Sequence, residues 1–177
     1  MKKIFIGIML FLVFMFIYFL EVDVFPFITI AGIIPNLFIV FILFVGLFAN
    51  SIFAIAFAVV GGILIDSVNS PFIGGTAIML TIIAFLASYF DRNFSKENRI
   101  TIILMVAGAT AIYEIGIYLL RFAIVGFDLE IMAAVKIILI EIVYNVLISI
   151  IIYPLMQKAG YAIDRVFKRN NMLTRYF

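Results

Sequence analysis

The chain has 177 residues, of which 67% are hydrophobic and 12% are charged, and its formal net charge is +2. Soluble domains are about 45–50% apolar and about 25% charged, so this composition excludes a soluble globular protein and indicates a one-domain integral membrane protein. The absence of cysteine and histidine excludes disulfides and thiol chemistry, and it removes the commonest general base and metal ligand.

Apolar runs predict six transmembrane helices. They cover about residues 4–20, 35–49, 51–66, 76–90, 100–122 and 132–155. The first run is long enough to span a bilayer and no small-x-small cleavage site follows it, so we interpret it as a retained helix. The second span is short, about 15 residues or ~22 Å, against a hydrocarbon core of ~30 Å. Either the apolar segment 22–34 dips into the outer leaflet with it, or the bilayer is thinner there.

The third span carries small or polar residues at every fourth position. This ridge consists of Asn50, Ala54, Ala58, Gly62 and Asp66, with Gly61 beside it. Small residues at this spacing let helices approach closely in lipid, so we expect the third span to lie inside the bundle. Asp66 either marks where the helix meets water or makes a functional contact.

The positions of Lys and Arg predict the orientation. With six spans and a cytoplasmic N-terminus, ten of the twelve basic residues fall on the inner side, and only Arg121 and Lys136 do not. The positive-inside rule therefore predicts that both termini are cytoplasmic. The basic tail, residues 157–177, is expected to be cytoplasmic and could hold anionic lipid headgroups, although an ordinary stop-transfer flank would carry the same charges.

Polar side chains form one stripe on each of the last two spans. The stripes are Thr110, Glu114, Tyr118 and Arg121, and Glu141, Asn145 and Ser149. Counting from the outer helix ends at 1.5 Å per residue places Glu114 about 12 Å deep and Glu141 about 13 Å deep, at one level. We expect a mixed cluster in which Glu114 pairs with Arg121, and Glu141 pairs with Lys136 or is protonated. Such a cluster would fix helix register; the alternative, a proton or ion pathway, lacks acids toward the inner leaflet.

The residues that commonly carry catalysis are missing. No serine has a histidine partner, no His/Cys cluster could hold zinc or haem, and Gly61–Gly62 and Gly74–Gly75 are isolated pairs rather than a phosphate loop. The sequence therefore predicts a non-enzyme without catalytic residues, cofactor or metal.

Four short motifs together resemble the rod shape-determining MreD family. They are Pro35-Asn36-Leu37 at the second span, Gly61 to Asp66 closing the third, Pro71-Phe72-Ile73-Gly74 in the next loop, and Glu141 to Asn145 leading to Tyr153-Pro154. The resemblance covers nearly the whole chain in order, length and span count. Asn36 stands where many relatives carry an acid after the proline.

The resemblance implies a six-helix bundle similar to the substrate-binding subunits of energy-coupling-factor transporters. It also implies an inner-membrane scaffold of the bacterial elongation machinery that binds MreC and, with it, links MreB filaments to RodA and a class B penicillin-binding transpeptidase. MreC would dock near the third helix, with Asp66 and the Pro71–Gly74 turn at the contact. The alternative is a vitamin-binding transport subunit whose pocket is lined by Asp66, Glu114 and Asn145.

The residues to which we assign partner-binding or structural polar roles come from these motifs and stripes. They are Pro35, Asn36, Gly61, Gly62, Asp66, Pro71, Gly74, Glu114, Arg121, Glu141 and Asn145.

Overall fold

The computed structural model describes residues 2–49, 51–69, 74–93, 98–126 and 131–167, which contain six α-helices. They are α1 (Lys2–Phe19), α2 (Leu37–Phe48), α3 (Ser51–Asn69), α4 (Gly75–Asn93), α5 (Arg99–Val125) and α6 (Ile131–Phe167). Four of these helices, α1, α3, α5 and α6, are long and apolar enough to cross a membrane, while α2 and α4 contain shorter apolar stretches. The prediction of an all-helical membrane protein is therefore confirmed.

Helix α2 is the centre of the bundle. All 12 of its residues are buried, and each of the other five helices contacts it. Its sequence, LFIVFILFVGLF, is apolar on every side, as expected of a helix enclosed by protein or lipid. At Gly46, an added Cβ would lie 2.5 Å from the Cβ of Ala87, so α2 and α4 approach closely because neither residue has a larger side chain.

Helix α3 lies at the periphery of the bundle. Its small-residue ridge is buried, with Ala54 and Ala58 both 0% exposed, and it packs against α4. The opposite face is open, with Val60 57% and Val68 66% exposed. The prediction that this helix lies inside the bundle is therefore correct only for the ridge. Asn50, at the start of the ridge, lies outside the described residues.

Helix α6 is longer than predicted. It continues past residue 155, where the prediction ended it, and ends at Phe167. Pro154 lies inside the helix although it has no N–H to donate to the carbonyl of Ile150. The added turns pack on the bundle: Gly160 lies against the Phe48 ring, and the Phe53 and Phe167 rings are 4.9 Å apart. Residues 157–167 therefore belong to a packed helix rather than to a free tail, and residues 168–177 lie outside the described part of the chain.

The connection between α1 and α2 is irregular. A π-helical turn, Leu20–Val24, and a 3-10 turn, Phe25–Phe27, follow α1, and Ile30 and Ile33 then pair across a tight turn. Pro35 precedes the cap residue Asn36 and is not in the first helical turn. Helix α2 has 12 residues, or about 18 Å at 1.5 Å per residue, so it is even shorter than the predicted span.

Candidate functional site

The N-terminus of α2 is held by two polar side chains. Glu21 accepts hydrogen bonds through Oε1 from the backbone N–H groups of Leu37 (2.5 Å) and Phe38 (3.3 Å), and Asn36 Oδ1 accepts from Ile39 N (3.4 Å). The first N–H groups of a helix have no partner within the helix, and the helix dipole favours a negative group at this end. Glu21 and Asn36 therefore satisfy donors that would otherwise be buried without partners.

Asn145 joins α2 to α5 and α6. Its Oδ1 accepts from the backbone N–H of Asn36 at 2.9 Å, and its Nδ2 donates to Thr110 Oγ1 at 3.1 Å. Asn145 and Thr110 are both 0% exposed. Buried polar groups are costly unless paired, so this side chain fixes the relative position of three helices.

Asp66 holds the N-terminus of α4. Its carboxylate accepts from the backbone N–H groups of Gly74 (2.8 Å), Thr76 (3.1 and 3.2 Å) and Ala77 (3.4 Å). Asp66 is only 1% exposed, so its carboxylate is engaged within the chain. The contact of Asp66 and the Pro71–Gly74 turn with MreC stays a prediction, and the Asp66 carboxylate already has partners within the chain. Pro71 lies outside the described residues.

Tyr113 connects the two capped helix ends. Its hydroxyl donates to Thr76 Oγ1 at 3.3 Å, and the same side chain interacts with Asn36. Tyr113 is buried, at 7% exposure. Hydrogen bonds therefore run from Asp66 through Thr76 to Tyr113, which lies close enough to Asn36 to interact with it.

Glu114 and Glu141 meet across the α5–α6 interface. Each carboxyl group acts electrostatically on the other, Asn145 acts on Glu141, and the charge of Arg121 acts on Glu114. Glu141 is 6% exposed, and its Oε1 has no hydrogen-bond partner among the described residues.

The cations predicted to pair with these acids lie at the surface. Arg121 and Lys136 are both exposed. The groups that act on Glu141 are Glu114, Glu21 and Asn145, so the expected pairing with Lys136 is not present. At the sixth residue of α6, Lys136 is more than one helical turn from Glu141 along the helix, and its long side chain reaches the surface more readily than the interior.

The two glycines of the third span allow close approach to different helices. A Cβ added at Gly62 would overlap the backbone of Ala77 on α4, and one added at Gly61 would lie 2.6 Å from the Phe14 ring of α1. Both glycines therefore serve contacts within the chain. Gly74, at φ +113°, adopts a backbone conformation that favours glycine.

Sequence reasoning missed several members of this network. Glu21, Thr76, Tyr113 and Tyr144 were not assigned roles, yet each makes a contact between elements distant in sequence. Glu21 ends an apolar run, and Tyr113 is next to Glu114. Both positions could have attracted attention, but neither identifies its partner.

An apolar groove lies between α1 and α3, away from the polar network. It has a volume of about 190 Å³ and is lined by Phe11, Phe14, Phe57, Val60, Gly61 and Leu64, among others. We call it the α1–α3 groove.

The family resemblance is confirmed by comparison. A family model described as rod shape-determining protein MreD matches residues 1–159. Comparisons with curated proteins and with solved structures give no match. The family match extends from α1 into the last turns of α6 and so includes every residue of the polar network. With four helices able to cross a membrane, the chain is a multi-pass membrane protein that belongs to the MreD family, which has a role in rod shape determination.

Proposed function

We propose that this protein is a non-catalytic membrane scaffold of the bacterial elongation complex, which binds MreC and supports cell-shape control and peptidoglycan synthesis. The observation that supports this proposal most is the use of the buried polar groups. Glu21, Asn36, Asp66 and Asn145 hold helix ends and neighbouring helices, so their polar atoms serve the architecture of the bundle rather than a reaction.

The α1–α3 groove is the surface we propose for the MreC membrane helix. This groove places the MreC contact on the third helix, as the sequence suggested, but on its exposed face rather than on the buried ridge. Val60 and Leu64 are 57% and 43% exposed there, so their side chains can pack against a partner helix. Association of helices in lipid depends on such close packing.

The proposal predicts the effect of filling this groove. Val60→Trp would place a large ring where the partner helix is expected, so co-purification of MreC from native membranes should fall at least tenfold. Leu119→Trp is the matched control, because Leu119 is also 57% exposed but lies on α5. The amount of each variant in the membrane is measured alongside, since both changes are at exposed positions and should leave folding intact.

Two results would contradict the proposal. Undiminished MreC recovery with Val60→Trp would remove the groove from the interface, and an equal loss with Leu119→Trp would show that the effect is not local. Co-purification of a small metabolite in stoichiometric amount would instead favour the vitamin-binding transport subunit.

We further propose an inner-membrane location with both termini in the cytoplasm. Lys3, at the start of α1, has its ammonium 5.6 Å from the Phe167 ring at the end of α6, and Arg99, at the start of α5, has its guanidinium 5.4 Å from the Tyr153 ring in the second half of α6. Positive charge concentrated at one end is the expected cytoplasmic signature. This end and the basic residues 157–177 would face MreB filaments and anionic lipids, with RodA and its transpeptidase in the same complex.

A further inference from the structure

Residues 25–34, which we call the apolar hairpin, form an exposed segment between α1 and α2 that begins with the 3-10 turn Phe25–Phe27. The sequence FPFITIAGII contains no charged residue. Its hydrophobic side chains point outward: Phe27 is 88% exposed, Ile28 55% and Ile30 45%. An uncharged apolar surface of this kind marks a contact with a partner or a membrane.

Part of the hairpin backbone is paired within the segment. Ile30 and Ile33 exchange two hydrogen bonds, of 3.1 and 3.0 Å, around a turn in which Ala31 has φ 53° and Gly32 has φ 80°. The N–H of Ile28 donates to the carbonyl of Phe25 at 2.9 Å. Non-helical backbone is costly in hydrocarbon unless its polar groups are satisfied, and these bonds lower that cost. The groups left over could reach water only if the hairpin lies near the membrane surface.

The hairpin is attached beside the first half of α6. The Tyr144 hydroxyl donates to the carbonyl of Ile28 at 2.5 Å, and Asn36 is bonded to Asn145. Tyr144 is 13 residues after the start of α6 at Ile131, or ~20 Å along the helix axis. Phe27 lies nearer that end by up to ~9 Å, because it follows Glu21, which caps α2 at this level, by six residues of helical turn. The hairpin therefore lies alongside an apolar part of α6 and does not project beyond the bundle.

The short α2 helix leaves space for the hairpin. At about 18 Å, α2 covers little more than half of a ~30 Å hydrocarbon core. Its N-terminus is level with Asn145 rather than with the start of α6. The chain before α2 consequently occupies the membrane depth that a full-length helix would have filled.

We propose that the apolar hairpin inserts into the upper hydrocarbon of the outer leaflet, with Phe27 among the lipid acyl chains. This interaction with lipid does not depend on MreC binding. Insertion makes the hairpin an interfacial anchor, comparable to segments that bury an apolar face at the boundary between headgroups and acyl chains. The surface suits lipid because it is uncharged, its backbone is partly hydrogen-bonded within the segment, and it is fixed to α6.

Tryptophan fluorescence tests the proposal directly, because the chain contains no tryptophan. The full-length Phe27→Trp variant is reconstituted in phosphatidylcholine vesicles whose acyl chains carry bromine either near the headgroup or near the chain end. Phe85→Trp, at a position 63% exposed on α4, is the lipid-facing control, and Asn98→Trp, at the start of α5, is the control near water.

The proposal predicts that bromines near the headgroup quench the Phe27→Trp variant at least twice as strongly as bromines near the chain end. It also predicts that acrylamide quenches the Asn98→Trp variant more than the Phe27→Trp variant. Strong acrylamide quenching of Phe27→Trp without bromine quenching would place the hairpin in water and overturn the proposal. Quenching by neither agent would mean that protein covers the hairpin, which also overturns it. The Ile30→Trp variant repeats the measurement at a second exposed position of the hairpin, so that the result does not depend on a single substitution.

Discussion

The backbone N–H of Asn36 donates to Oδ1 of Asn145, 2.9 Å away and 109 residues later in the chain. This bond joins the N-terminus of the central helix α2 to the middle of α6. Because Nδ2 of Asn145 also donates to Thr110, one buried amide links α2, α5 and α6. The bundle is thus held at its centre by a polar contact as well as by apolar packing.

Replacing Asn145 should destabilise the bundle. Asn145→Ala leaves the Asn36 N–H and the Thr110 hydroxyl without this partner, and a buried unsatisfied polar group costs about 1–3 kcal/mol. We expect a clear drop in the thermal unfolding midpoint of the detergent-purified protein. Ser67→Ala is the control, because that hydroxyl is exposed and bonds only within its own helix; equal midpoints for both variants would contradict the role of Asn145.

Asp66 should be required for the α3–α4 connection. Asp66→Ala removes the acceptor of N–H groups at Gly74, Thr76 and Ala77, and loss of a helix cap costs about 0.5–2 kcal/mol. Asp66→Asn keeps one acceptor oxygen and should retain an intermediate stability. Protease sensitivity of the 66–77 region in membranes reports the loss. If Asp66→Ala binds less MreC with unchanged protease resistance, the residue acts as a partner contact after all.

Alanine substitution at Gly62, with Gly108 as the control position, tests the close packing of α3 on α4. Gly62→Ala drives a Cβ into the backbone of Ala77, whereas a Cβ at Gly108 meets no atom within 4 Å. We expect Gly62→Ala to lower the amount of folded protein several-fold. Gly108→Ala should be neutral or stabilising by up to ~1 kcal/mol, because alanine favours helix. Detergent-solubilised yield and the unfolding midpoint measure both, and equal behaviour of the two variants would refute the close packing.

The Glu114–Glu141 pair should tolerate an amide in place of one acid. In Glu141→Gln the side-chain N–H can donate to Glu114, so the contact persists and stability should change by less than ~1 kcal/mol. Glu141→Ala removes the contact and should lower the unfolding midpoint distinctly. A midpoint that falls equally in both variants would show that the negative charge of Glu141, rather than the hydrogen bond, stabilises the interface.

Part of this architecture could be predicted because the sequence marks it. Six apolar runs are separated by polar or turn residues, so the helices could be located. Glu114 and Glu141 could be placed at one level by counting residues from adjacent helix ends. The end of α6 could not be located in this way, because Pro154 is tolerated within a packed membrane helix and the apolar contacts beyond it depend on α2 and α3.

The central helix and its caps could not be predicted from sequence. The α2 sequence, LFIVFILFVGLF, has no polar residue that would mark one face of the helix. A helix buried in protein and a helix exposed to lipid would therefore have the same apolar sequence pattern. Glu21 caps backbone N–H groups that lie 16 and 17 residues later in the chain. The segment between them is irregular, and its sequence has no periodicity from which its path could be predicted. Asp66 was recognised as unusual, but its partners follow a loop whose geometry the sequence does not define.

Cross-linking tests the central claim most directly, because the chain has no cysteine of its own. A single cysteine at Leu64, in the α1–α3 groove, or at Leu119, on α5, is combined with cysteines scanned along the MreC membrane helix, and disulfide formation is measured in native membranes. Our account predicts cross-links at a helical period to Leu64→Cys and none to Leu119→Cys. Cross-links confined to Leu119→Cys, or none to Leu64→Cys while MreC still co-purifies, would contradict it.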